Sequence, residues 1–134
     1  MTDSKPTLSC LSDTLAICRL EADARLPSWA LAGEFTSITR TADELSIVCR
    51  QADVPAEIPC EKGYHCIKVE GPLAFTVIGV LSSLTTVLAR VGISIFAVST
   101  FDTDYILVEK NQMDKAVQAL SQAGYYINYE EVSI

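Results

Sequence analysis

The stretch Ser99-Thr100-Phe101-Asp102-Thr103-Asp104-Tyr105-Ile106-Leu107-Val108 decides the fold, because a paler copy stands 60 residues earlier as Thr39-Arg40-Thr41-Ala42-Asp43-Glu44-Leu45-Ser46-Ile47-Val48. Each reads as a strand end, a short acidic corner and a second strand, so a β-hairpin occurs twice. In this pairing Arg40 and Thr41 stand where the later copy has Thr100 and Phe101. Two hairpins in 134 residues imply two related modules, and the seam between such modules is a natural place for a small ligand.

Around the later hairpin the pattern is clear. Ile67 and Val69 alternate with Lys68 and Glu70, the period of a half-buried strand over Cys66 to Leu73, which Gly71-Pro72 ends. Val80, Leu81, Leu84, Val87, Leu88 and Val91 form one apolar helical stripe, and Gly92 stands at the position of a left-handed C-cap. Ile93 to Ser99 carries apolar residues on both faces, which predicts a central strand or one covered by a helix and a second subunit. After the strand Tyr105 to Glu109, Asn111 is the expected N-cap of a helix buried through Met113, Ala116, Val117, Leu120 and Ala123. Gly124 closes that helix and Tyr125 to Val132 returns as a strand, completing a ferredoxin-like βαββαβ unit.

The first half follows the same plan with its helices worn down. Leu15 to Leu20 is a strand, and Glu34 to Arg40 with Leu45 to Arg50 is the hairpin. Pro27 leaves the Pro27 to Ala32 segment room for a helical turn only. The second helix shrinks to Gln51-Ala52-Asp53-Val54, and the Pro- and Gly-containing segment 51–63 is the candidate boundary. The expected division is residues 1–62 as a truncated module and 63–134 as a complete one.

Composition bounds the function. With 49% hydrophobic and 20% charged residues the chain is globular. No apolar run approaches the roughly 18 to 20 residues of a membrane span, and the start lacks a basic segment leading into an apolar one. These features predict a cytoplasmic protein with no membrane partner. A net charge of −7 with ten scattered Lys and Arg argues against nucleic acid. Cys10, Cys18, Cys49, Cys60 and Cys66 form no CxxC pair and suit a reducing compartment, with Cys18 and Cys49 read as small core hydrophobes.

With these pieces placed, the chain resembles the small tandem ACT proteins of bacteria, whose fold also serves the arginine-sensing CASTOR proteins and the regulatory regions of aspartate kinases. The resemblance runs from about Leu15 to Val132. It is carried most specifically by Glu34 to Thr41, Glu44 to Val48, Lys68 to Leu73 and Ser94 to Val108. It implies a non-catalytic, allosteric amino-acid-binding protein, with Gly71, Pro72, Phe75 and Gly79 on one ligand loop and Ser99, Thr100, Phe101, Asp102 and Asp104 on the other. The chemistry agrees: backbone N–H groups around Val77, Ile78 and Gly79, at a helix start, suit a carboxylate. Asp102 or Asp104, with nearby carbonyls, suits an ammonium. The loop Ala74 to Ile78 has no carboxylate, which favours an apolar or small polar ligand over arginine unless Glu34 or Glu44 reaches across.

Other readings stand beside these. Asp102 and Asp104 also suit plain turn chemistry. Trp29 either fills the space of the missing helix or lines the seam. His65 and Cys66 are adjacent and point to opposite faces of a strand, so they cannot share a metal ion. Glu130 and Glu131 read as solvated, and no glycine loop for a nucleotide occurs. No catalytic residue, metal or cofactor is expected. The expected partners are an amino acid or similar metabolite, a second copy of the chain paired through sheet edges, and a metabolic enzyme that receives the signal. The alternatives are a small ferredoxin-like enzyme using Asp102 or His65 as a base, or a partner-binding module with no small ligand.

Overall fold

The structure is a computed structural model that describes residues 5–71 and 79–129. It divides into two compact units, one of residues 13–64 and one of residues 1–12 with 65–134. The N-terminal segment thus groups with the later module and not with the earlier one, unlike a division at 62/63.

In the 13–64 unit, β2 (Leu15–Leu20) lies between β4 (Leu45–Arg50) and the first residues of β5 (Cys60–Val69), and β3 (Ser37–Arg40) flanks β4, all antiparallel. The pairing of β2 with β5 slips between Leu15 and Ile17. Gly63 takes up the slip with a φ of 81°, which side chains resist, and its N–H donates to Gln51 Oε1 at 2.7 Å. Short 3-10 turns at Ser28–Leu31 and Gln51–Asp53 replace helices. The core is correspondingly small: Ala16, Cys18, Ala30, Leu45, Ile47 and Cys49 are buried, with Trp29, Val54, Ile58 and Cys60 packed against them. Trp29 therefore helps fill the place of a missing helix.

In the other unit the strand order is β6 (Ile95–Ser99), β7 (Asp104–Glu109), the last residues of β5, β1 (Leu8–Cys10) and β8 (Ile127–Asn128). The helices α1 (Val80–Arg90) and α2 (Met113–Gln122) bury Leu84, Leu88, Met113, Ala116 and Leu120 with Leu8, Ile67, Val69, Ile106 and Val108 of the strands. Each apolar stripe repeats every three or four residues and so fits one face of its helix. Both helices end alike: Ile93 N–H donates to Leu88 at 3.0 Å, and Tyr125 N–H to Leu120 at 3.1 Å, across the glycine that follows each.

The order β5-α1-β6-β7-α2-β8 is the βαββαβ plan, with one strand added. β1 is antiparallel to β5 (Leu8 opposite Val69) and parallel to β8 (Leu8 opposite Ile127), so it sits between the first and last strands of the plan. Three residues are too few to show a period, which is why β1 escapes a reading of pattern alone.

Several local expectations are corrected. β5 begins at Cys60, inside the segment read as a boundary, because its first residues complete a ladder with β2. β6 is not central: β7 is its one strand partner among the described residues. Asn111 does not cap α2, since a 3-10 turn at Lys110–Gln112 runs directly into the helix and Gln112 takes the cap position without a side-chain bond. The last strand is shorter than 125–132 within the described residues.

The repeat is also re-registered. Ser37 faces Val48 and Arg40 faces Leu45, as Phe96 faces Leu107 and Ser99 faces Asp104. Thr41 therefore corresponds to Thr100, Asp43 to Asp102 and Glu44 to Thr103, a separation of 59 and not 60. The same offset relates the 3-10 turns Gln51–Asp53 and Lys110–Gln112.

Candidate functional site

The corner Ser99 to Asp104 is closed by its own hydrogen bonds. Thr100 N–H donates to the Thr103 carbonyl at 2.8 Å, and the Thr100 hydroxyl both donates to that carbonyl at 3.0 Å and accepts from Thr103 N–H at 3.3 Å. Ser99 Oγ donates to Asp104 Oδ1 at 2.6 Å, which places one carboxylate oxygen of Asp104 in the turn. Phe101 (79% exposed) and Asp102 project from the tip. Threonine and aspartate suit this geometry because a short side-chain oxygen can bond backbone two or three residues away.

Thr103 joins this corner to the other expected loop. Its side chain is 5% exposed and its hydroxyl donates to the Val69 carbonyl at 2.6 Å, at the end of β5 and two residues before Gly71. The structure thereby brings Ser99 to Asp104 beside the start of the Gly71 loop. Thr103 was absent from the residues singled out by sequence. It differs between the copies at either separation, standing against Asp43 at 60 residues and against Glu44 at 59, and that loss of an acid is the one signal the sequence carries for it.

Of the remaining expected site residues, Gly71 is exposed. Gly79 is the N-cap of α1 with φ 84°, a left-handed conformation that favours glycine, and α1 has no side-chain cap. Ser83 N–H bonds the Gly79 carbonyl at 2.8 Å, so the earlier amides of the helix have no intrahelical acceptor. Pro72, Phe75, Val77 and Ile78 lie outside the described residues.

His65, considered as an alternative base, is buried on β5, and burial together with nearby Lys110 pushes its pKa down. Among the described residues no group of three or more His, Cys, Asp or Glu side chains is arranged to hold a metal ion, and no helix is long and apolar enough to cross a membrane.

A two-helix, ferredoxin-like unit whose β6–β7 corner is tied to the end of its first strand defines an α+β module of the ACT type. An ACT-domain family model matches residues 60–122, and a second model, of an N-terminal domain, matches residues 13–57. A crystal structure of protein Atu0741 from Agobacterium tumefaciens is 40% identical, with 96% of each chain covered and a TM-score of 0.90. The chain belongs to the ACT-domain proteins and shares a family with that protein. Two further structures share the fold: a Vibrio cholerae protein of unknown function, a possible transport protein (20% identity, 87% and 88% covered, TM-score 0.70), and the regulatory subunit of aspartate kinase from Thermus flavus (14%, 90% and 99%, 0.60). No curated protein sequence matches the chain.

Proposed function

We propose that the protein is a non-catalytic regulator that binds a free amino acid at the corner formed by Ser99 to Asp104 and the loop after Val69. The observation that carries this reading is the 2.6 Å bond from Thr103 Oγ1 to the Val69 carbonyl, which ties the corner to the end of β5. Such a ligand needs acceptors for its ammonium and donors for its carboxylate. Asp102, exposed at the tip, and the second oxygen of Asp104 supply the first. The uncapped start of α1 supplies the second. Membership of the ACT family and the fold shared with an aspartate kinase regulatory subunit support a regulatory role over a catalytic one.

Two copies pair through β6, whose outer edge has no strand against it among the described residues, in keeping with how open edges are used. A cytoplasmic metabolic enzyme is the fitting recipient of the signal.

Thermal melts against the common amino acids at millimolar concentration test the reading. One ligand, or a small group with apolar or small polar side chains, raises the midpoint, since saturation at a hundredfold excess over Kd stabilises by about 2.7 kcal/mol. Asp102→Ala abolishes that shift and leaves the ligand-free midpoint nearly unchanged. No shift with any amino acid overturns the proposal, and loss of the fold on Asp102→Ala assigns Asp102 to the turn.

A further inference from the structure

Three of the five cysteines converge in the 13–64 unit. Cys18 on β2 faces Cys60 on β5 directly, and Cys49 on β4, which pairs with Ala16 of β2, stands diagonally to Cys18 on the same face. All three belong to one small core, with Cys60 packed against the buried Cys18 and Cys49. Cys18 and Cys49 are buried, whereas Cys60 is half-exposed.

The ladder around the facing pair is decisive. Arg19 N–H donates to the Pro59 carbonyl at 3.1 Å, so residues 19 and 59 form the hydrogen-bonded pair and Cys18 with Cys60 the non-hydrogen-bonded one. In that kind of pair the Cα atoms approach to about 4.5 Å and the side chains are nearest. A disulfide spans Cα separations of about 4.4–6.8 Å with Cβ atoms about 3.8 Å apart. The diagonal to Cys49 is longer, about 7 Å between Cβ atoms in an antiparallel sheet.

In the other unit, Cys10 and Cys66 are near in sequence register and yet cannot join. Cys10 faces Ile67, and Leu11 N–H bonds the Cys66 carbonyl at 2.9 Å, so the two cysteines are one register step apart and point to opposite faces.

We infer that Cys18 and Cys60 form a reversible disulfide within the 13–64 unit by thiol–disulfide exchange with a low-molecular-weight disulfide. The Cys60 thiolate attacks one sulfur of that disulfide, forming a mixed disulfide and releasing one thiolate. The Cys18 sulfur then attacks the Cys60 sulfur, closing the protein disulfide and releasing the second. Two electrons pass from the protein to the small disulfide, and the protons of both cysteines end on the two small thiols. Burial holds the Cys18 thiol up at about 12, so the second step waits on deprotonation and quickens with pH. The link closes residues 18–60 into a loop, which restricts the unfolded chain.

Oxidised glutathione is the probe, applied to the folded chain at pH 8 with alkylation in denaturant and peptide mapping. The expected product has Cys18 joined to Cys60 and Cys49 alkylated, a melting midpoint raised by about 10 °C, and full reversal by dithiothreitol. Cys49→Ser forms the same link and Cys60→Ser forms none. A Cys18 to Cys49 link, a mixed disulfide that persists at Cys60, or cross-links only between chains overturns the inference. The map of the unaltered chain decides the matter even where a variant fails to fold.

Discussion

In the β3–β4 hairpin Thr41 N–H donates to the Glu44 carbonyl at 2.9 Å, and the Thr41 hydroxyl accepts from the N–H groups of Asp43 and Glu44 at 3.1 and 3.2 Å. In the β6–β7 hairpin Thr100 and Thr103 repeat the backbone bond and the hydroxyl's bond from the N–H of the fourth residue, and in both corners the hydroxyl also donates to that residue's carbonyl. The surroundings differ. Where the later copy pairs Ser99 with Asp104, the earlier pairs Arg40 with Leu45, and Arg40 donates instead to the carbonyls of Ala22 and Ala24. Where Thr103 is buried against β5, Glu44 is not buried. After the strands, one copy continues from its 3-10 turn into α2 and the other into Val54 and Pro55.

The comparison teaches that the shared threonine serves the turn in both copies, whereas the facing Asp104, the buried Thr103 and the helix beyond belong to the later copy alone. Asp43 occupies the place of Asp102 in a corner with neither a facing carboxylate nor a helical layer behind it.

The largest expected break between the copies lies in their helical layers. Leu120→Ala empties a fully buried position of α2 and lowers stability by about 2–5 kcal/mol, whereas Val54→Ala, at the half-buried start of the missing helix, costs about 1 kcal/mol. Urea unfolding of both variants measures the difference, and equal losses remove the claim that the earlier unit lacks a second helix's worth of core. Next in size is Thr103→Val, which deletes the bond to Val69 and costs about 1–2 kcal/mol, against less than about 0.5 kcal/mol for Glu44→Val. A Thr103→Val protein of unchanged stability that still responds to ligand removes Thr103 from the corner. Smallest is the contrast that should vanish: Thr41→Ala and Thr100→Ala each lose a turn bond worth about 1 kcal/mol, and their unfolding midpoints fall together. A marked inequality sharpens the comparison by showing that one corner is braced from outside the turn.

Much of this was legible along the chain because it is local. The alternation of Ile67 and Val69, the helical stripe through Leu84 and Leu88, and the glycines after each helix are set by periods and backbone preferences that act over a few residues. The corner's composition declared a turn for the same reason. Matched by polarity the two hairpins stand 60 residues apart, whereas the residues that face one another across each ladder set the separation at 59.

The βαββαβ order, the doubled hairpin and the chemistry of the acidic corner are written along the chain, since propensity, period and turn preference reside in neighbouring residues. Only the tertiary structure decided that Leu8–Cys10 enters the later unit beside β5, that Thr103 ties the corner to Val69, and that Cys18 faces Cys60. Each joins residues far apart in the chain, and the partner of a strand edge or a hydroxyl is chosen by which distant group completes the ladder and leaves no buried polar atom unpaired.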